Sequence, residues 1–396
     1  MIWGPKKKDT ILTFLLSAAV AVAVLAHYPG SNLDWLTTLA WGLLAVTALS
    51  LSYSSARIQG YLALFVGCVA ALFCLSSFGA VVFNLAPLSG LFSAVMKTLL
   101  VYAVGYLLPF NRLDEDGLSK SLTVYVAAVA LLAIGVRAAL FTNLTVWFSQ
   151  DVYVYGEKNS TGQILAVAAI LLFFFFRPRN RALNIARFVL AGLLAVFLLI
   201  VQSRSAAIAL AVAAASGLVF SKNRRPLFLP LIGLFALLLQ VPAINAFFDR
   251  AFFVSRYAGS SLDTFSSGRI TLWNEALGVI RDHLLLGTGG YYVDNFYLNV
   301  IANVGLLGAG LVFVIWLVRI VKNFNANAEH GGVSHRLVRT LQLLTVFYLV
   351  ESVFEGMPPF GPGTASFVFW LLSGFYDGAS YSALQCSLMG APERRH

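Results

Sequence analysis

Apolar residues recur along almost the whole chain in runs of roughly 20, the length an α-helix needs to cross a hydrocarbon core about 30 Å thick. Twelve such runs are predicted, over residues 11 to 27, 35 to 53, 60 to 79, 88 to 109, 121 to 141, 162 to 176, 183 to 202, 205 to 220, 227 to 247, 296 to 318, 337 to 355 and 365 to 385. The runs are of helical length and recur throughout, so helices rather than barrel strands are expected to span the membrane. The predicted fold class is all-α, a polytopic integral membrane protein in which residues 1 to 396 form a single membrane domain.

Most connections between the runs are short, and two are long: residues 142 to 161, and residues 248 to 295 between the ninth and tenth spans. Loops of that length are usually functional or disordered. The second carries an ordered pattern. From Ile270 the apolar residues Ile270, Trp273, Leu277 and Ile280 follow helical spacing, with Ser267 available as an N-cap and Gly287 as a stop. A short amphipathic helix lying along the membrane surface is expected there.

Composition agrees with the span pattern. Hydrophobic residues make up 59% of the chain and charged residues 11%, far from a soluble globular domain. The formal net charge of +10 reads as topology. With the N-terminus inside, the predicted cytoplasmic segments hold 19 of the 27 lysines and arginines, so both termini are expected in the cytoplasm and nucleic acid need not be invoked. Lys6 to Lys8 before the first apolar run resemble the start of a signal peptide, but the run is long for one and cleavage is not expected. Cys68, Cys74 and Cys386 show no metal-ligand spacing, and no phosphate loop, zinc signature or nucleophile elbow stands out. No cofactor and no metal are expected.

Eight basic residues remain on the outer side or within spans: Lys97, Arg137, Lys158, Arg204, Arg250, Arg256, Arg269 and Arg281. Cations retained against the positive-inside bias usually have an anionic partner. Lys97, in AVMKTLL, is the deepest, and a buried charge there needs a partner. Lys158 and Asn159 precede Thr161 and Gly162 in a plain helix-start signature. Glu351 and Glu355 fall four apart, on one helical face at the outer end of the eleventh span, where they suit either a base or an ion pair with an external arginine.

The stretch QSRSAAIAL opening the eighth span, followed by GRITLWNEALGVIRDHLLLGTGGYYVDNFYLNVIANVGLLGAG, resembles the core of the O-antigen ligase and polysaccharide polymerase family. The shared pattern is an SR pair opening a helix, an R-x-x-x-W helix in a large periplasmic loop, a Gly-rich turn, and a His-Asn or Asp-Asn pair before a Leu-rich span. It covers roughly residues 150 to 320, including KNSTGQ at the sixth span.

The resemblance implies a membrane-embedded glycosyltransferase of the bacterial inner membrane that takes undecaprenyl diphosphate-linked oligosaccharide from the periplasmic side. It assigns the donor's diphosphate to Arg204 and Arg269, and a planar guanidinium suits bidentate phosphate binding. Arg250, Arg256, Arg281, Lys158, Asn295 and Glu355 complete the candidate substrate-binding set, and Asp294 joins Arg204 and Arg269 as a candidate catalytic residue. Where ligases of the family carry His before Asn, this chain has Asp294 before Asn295, which points to a polymerase and leaves the base open. An aspartate has an ordinary pKa near ~3.9 against ~6.5 for histidine, and Asp294 is equally well read as the N-cap of the tenth span. Glu355 and Glu157 are the next candidates. The alternatives are an O-antigen ligase acting on lipid A core, a flippase or transporter of the lipid-linked oligosaccharide, and a polymerase of the cell-wall type. Membrane lipid and a chain-length regulator protein complete the expected partners.

Overall fold

The computed structural model describes residues 5–27, 33–52, 60–83, 89–140, 158–219, 230, 237, 239–252, 261–266, 268–328, 333–361 and 364–388. Among these residues the fold is helical, with no strand. The elements are α1 (Pro5–Leu25), α2 (Asp34–Ser52), α3 (Gly60–Phe83), α4 (Ser89–Leu107), α5 (Glu115–Leu140), α6 (Lys158–Ile170), α7 (Arg181–Ile200), α8 (Arg204–Val219), α9 (Pro242–Phe252), α10 (Leu262–Phe265), α11 (Arg269–Asp282), α12 (Phe296–Phe324), α13 (His335–Phe354) and α14 (Thr364–Leu388). A π-helical turn, Leu171–Phe175, continues α6 to its end.

Eight of these helices, α2 to α7, α12 and α13, are long and apolar enough to cross a membrane. Two shorter apolar stretches, Asp9–Leu25 and Arg204–Val219, accompany them. The protein is therefore a multi-pass membrane protein. Its outer faces agree: Leu39, Leu43, Val46 and Leu49 on α2, and Leu131 and Ile134 on α5, are all more than half exposed. Such contiguous apolar surface is rare on a soluble monomer and is what lipid tails cover.

The predicted spans coincide with helices to within a few residues at eleven of the twelve positions. Most of the ninth, 227 to 247, lies outside the described residues. Its end is helical, because α9 runs across the predicted boundary between that span and the following loop.

Two layers of contact make the core. Aromatic residues bind α3, α4, α12 and α14, with Phe360 stacked on both Phe296 and Trp370 and Tyr61 set edge-on to Tyr102. Beneath them is a buried ionic cluster. Asp377 on α14 accepts from Arg319 at 2.8 Å, Lys322 at 2.9 Å and the Tyr102 hydroxyl at 2.6 Å. Arg319 is fully buried, so this network is tolerable in the bundle only because the carboxylate is matched by directed donors. Lys97 lies outside this cluster: it is exposed on the outer side of α4 and is not the buried charge expected there.

Candidate active site

Glu351 and Glu355 end α13. Glu351 lies in the last turn and is fully buried, while Glu355 is the C-cap and donates its backbone N–H to the Glu351 carbonyl. Around them gather the beginnings of four other helices. From α6, the Asn159 amide donates to Glu355 Oε1 at 2.7 Å and the Gln163 amide to Glu351 Oε1 at 3.2 Å. From α8, the Ser205 hydroxyl lies 3.2 Å from Oε1 of both glutamates and, having one proton, can donate to one at a time. From α11, Arg269 forms an ion pair with Glu355 at 3.2 Å, its guanidinium 5.7 Å from the centre of the Phe354 ring. From α12, the Asn295 amide donates to the Val353 carbonyl.

The local sequence explains each approach. Gly162 in KNSTGQ sits where a Cβ would lie 2.3 Å from the Ser203 hydroxyl, so only glycine lets the start of α8 meet α6. The reversal between α7 and α8 is made at Gln202, which holds φ +61, a left-handed conformation that a non-glycine residue adopts at a cost of roughly 1–3 kcal/mol. That strain lets α8 begin at once, with Arg204 as its first residue, beside the glutamates.

The Gly-rich turn does more than stop a helix. Gly305, inside α12, has φ +63 and ψ −176, which breaks the helical hydrogen-bond ladder within an apolar span. The turn after α11 replaces the lost bonds. Thr288 and Gly289 donate to the carbonyls of Ala302 and Asn303, and the N–H groups of Leu306 and Leu307 donate to the carbonyls of Leu284 and Leu285. Irregular backbone at this depth is acceptable because it is satisfied by protein. Asn299 and Asn303 line the broken segment, Asn299 donating to the Gly356 carbonyl and Asn303 to that of Tyr291. The turn after α11, the first half of α12 and the turn after α13 are thereby locked together.

Burial pushes the Glu355 carboxyl up to about 7, with Arg269 opposing the rise and Asp294 adding to it. Asp263, on α10, moves the other way: bonds from the backbone N–H and the hydroxyl of Thr271 hold it below the usual carboxylate range, and it fixes the first turn of α11.

The sequence-predicted residues separate into four groups. Arg269 and Glu355 are in direct contact, and Arg204 and Lys158 are the first residues of the two helices that supply Ser205 and Asn159. Asp294 is half-buried and close enough to act on Glu355, but it does not cap the helix. Asn295 is the N-cap of α12, its side chain accepting from the Leu298 N–H, and Asp294 contributes a carbonyl to Trp273 Nε1. The side chain one residue later has the φ/ψ and the reach, so capping passes to Asn295. Arg281 is exposed in the last turn of α11, away from the glutamates. Arg256, Glu157 and Ser267 lie outside the described residues, as does the side chain of Arg250, whose backbone belongs to α9. The expected cap of α11 is corrected to Gly268 at φ +79, and that helix ends at Asp282 rather than at Gly287. On it Ile280 is buried with Ala276, while Ile270 and Leu277 are exposed. Gln163, Ser203 and Ser205 were not singled out by sequence. Their only signal was a place inside KNSTGQ and QSRSAAIAL.

The fold and site define a polytopic helical membrane protein that holds a buried carboxylate paired with a half-buried arginine among converging helix ends. Residues 189–297 match the family described as O-antigen ligase, a segment running from the body of α7 through α8 and α11 to the start of α12. Over that segment the match bears out the resemblance to O-antigen ligases and polymerases, and it includes Arg204, Arg269, Asp294 and Asn295. Asn159, Glu351 and Glu355 lie outside it. No match is found among curated proteins.

Proposed function

We propose that this protein is a polysaccharide polymerase that joins undecaprenyl diphosphate-linked oligosaccharide repeats on the periplasmic face of the bacterial inner membrane. The observation that carries this reading is the Arg269–Glu355 pair, set where the N-terminal ends of α6, α8, α11 and α12 come together. Helix N-termini carry partial positive charge and favour anions. With Arg204, Arg269 and Lys158 added, cationic groups adjoin the Glu351 and Glu355 carboxyls, which suits a diphosphate beside a base. Buried polar atoms with no hydrogen-bond partner among the described residues support a polyhydroxylated ligand: Gln163 Oε1, Gln202 Nε2, Ser203 Oγ and Glu351 Oε2.

In the proposed reaction Arg204 and Arg269 hold the donor's diphosphate. Glu355 takes the proton of an acceptor sugar hydroxyl, and the oxygen attacks the donor's anomeric carbon. The bond from that carbon to the phosphate oxygen breaks, the diphosphate leaves with the electron pair, and the anomeric configuration inverts. Charge accumulating on the diphosphate is what the arginines stabilise. Asp294 keeps the Glu355 carboxyl basic by its negative charge, and full activity of Asp294→Asn would confine that residue to its backbone contact with Trp273.

The description of the matched family is equally compatible with a ligase. Gels of surface and lipid-linked glycans separate the two. A strain lacking the protein is expected to lose the long ladder and to accumulate single repeats on the carrier. Long chains stranded on the carrier would establish a ligase, and repeats trapped in the cytoplasm a flippase.

The base assignment makes a pH prediction. Glu355 is active when deprotonated, so transfer in purified membranes is expected to rise as pH passes upward through about 7. Stability responds with the opposite sign. A carboxyl whose folded pKa is raised holds its proton longer than the unfolded chain does, so its contribution is complete below the ordinary value of 4.5 and is lost as pH rises through about 7. Glu355→Gln is expected to be inactive and to remove this pH-dependent part of the stability. An unchanged pH profile in that variant would rule Glu355 out as the base.

A further inference from the structure

At the end of the bundle opposite the glutamates, α6, α7 and α13 form a second cleft. The π-helical end of α6 contributes Phe173 and Phe174, the segment after it Arg177, the second turn of α7 gives Arg187 and Phe188, and the start of α13 gives His335, Arg336 and Arg339. A shallower depression adjoins it, lined by Arg177, Arg179, Arg181 and Arg187. Thus six arginines border one continuous region, and no aspartate or glutamate lines either part. Arg177, Arg179, Arg181 and Arg336 form no ion pair among the described residues.

Two of these arginines are built into the fold. Arg187 donates to the carbonyls of Leu172 and Phe176, within and just after the π-helical turn, and stacks on the Phe188 ring at 4.3 Å. Arg339 donates to the Gly217 carbonyl at the end of α8. The cleft is therefore a shaped feature of three packed elements, and topology alone asks only for basic residues somewhere on that side.

We infer that this cleft is a binding site for the phosphodiester headgroup of an anionic glycerophospholipid. The guanidinium groups supply bidentate donors for phosphate oxygens. The floor argues for a lipid rather than a soluble phosphate. Phe173 and Phe188 are 38% and 42% exposed, with ring centres 5.7 Å apart, and Ile185 and Val189, on the same face of α7 as Phe188, are exposed too. An acyl chain lies against that surface while its phosphate reaches the arginines, and basic pockets between transmembrane helices bind anionic headgroups in this manner. Because α6, α7 and α13 also position Asn159, the α7–α8 reversal and Glu355, headgroup binding braces the three helices that frame the active site.

The test uses the full chain in neutral detergent, with native mass spectrometry after exchange into mixed micelles of phosphatidylglycerol and phosphatidylcholine. The wild-type protein is expected to retain phosphatidylglycerol several-fold over phosphatidylcholine, and Arg177→Gln with Arg336→Gln to lose that preference. Neither residue belongs to the active site. Equal retention of the two lipids by the wild type, or an unchanged preference in the double variant, would overturn the inference. So would full displacement of the lipid by millimolar inorganic phosphate, which would make the cleft a site for a soluble anion. If the glutamine pair does not accumulate, Arg177→Lys with Arg336→Lys keeps the charge. Its preference is expected to fall, because lysine lacks the fork, and an undiminished preference would count against the site.

Discussion

Arg269→Gln is expected to lower glycan transfer by roughly 10²–10³-fold, the scale of losing one preorganised donor to a developing oxyanion, while leaving the protein at near-normal levels in the membrane. Two effects compete at this position. Removing one partner of a buried ion pair ordinarily costs roughly 3–5 kcal/mol, because the other charge is left uncompensated. Glu355 escapes most of that cost. Its carboxyl already stands at about 7 with Arg269 in place, so losing the arginine's favourable field moves it higher and the group takes up a proton. Asn159 and Ser205 still donate to its Oε1. The expected variant is therefore folded but lacks both the diphosphate clamp and, near neutral pH, the deprotonated base.

This gives a second readout besides the rate. The residual activity of Arg269→Gln is expected to have its rising limb displaced to higher pH, and Arg269→Lys to restore the position of that limb while recovering only part of the rate. A lysine keeps the charge that holds Glu355 down but not the planar fork that grips phosphate. If Arg269→Gln were as active as the wild type at equal protein level, neither the clamp nor the pairing would matter to transfer. If its rate fell with the pH profile unmoved, Arg269 would contact the donor without governing Glu355.

The helices and this site were not equally legible in the sequence. Spans were readable because lipid imposes one rule on every residue of a crossing helix, and α2, α3 and α7 obey it without interruption. Arg204 and Arg269 were readable as charges on an unexpected side. The glutamate pair was readable only as spacing. What joins Glu355 to Arg269, 86 positions earlier, and to Asn159, 196 positions earlier, is tertiary packing, and no local period records it. Asp294 was singled out by the Asp-Asn pair of the resemblance and was equally readable as a cap, but the residue whose side chain reaches the Leu298 N–H is Asn295. The cap and the base were separable only once the chain direction at the start of α12 was known.

The break in α12 was invisible as such, since VGLLGAG reads as an uninterrupted apolar helix, and it leads to the second large expected effect. Gly305→Ala is expected to reduce accumulation of the protein sharply and to lower its thermal midpoint in detergent. Its φ of +63 with ψ −176 lies in a region open essentially to glycine alone, where another residue costs of the order of 1–3 kcal/mol. A Cβ there would also lie 2.2 Å from the carbonyl carbon and oxygen of Leu285, backbone atoms that cannot swing aside as a side chain would. Relief requires the turn at 284–289 to withdraw. Withdrawal would strip partners from the carbonyls of Ala302 and Asn303 and the N–H groups of Leu306 and Leu307 inside an apolar span, where each unsatisfied group costs several kcal/mol. Gly287→Ala is expected to act alike, with φ +70 and a Cβ 2.4 Å from the Asn303 backbone. Gly310→Ala is the control. It lies in the same helix with nothing within 4 Å, and alanine there is expected to be neutral or to stabilise by up to about 1 kcal/mol. If Gly305→Ala behaved like Gly310→Ala, the turn would not be what holds the start of α12 to Glu355. If only Gly305→Ala and Gly287→Ala fail, the Gly-rich turn is a structural lock that carries Asn295 and Asn299 to the end of α13 and so sets the geometry in which Glu355 meets Arg269.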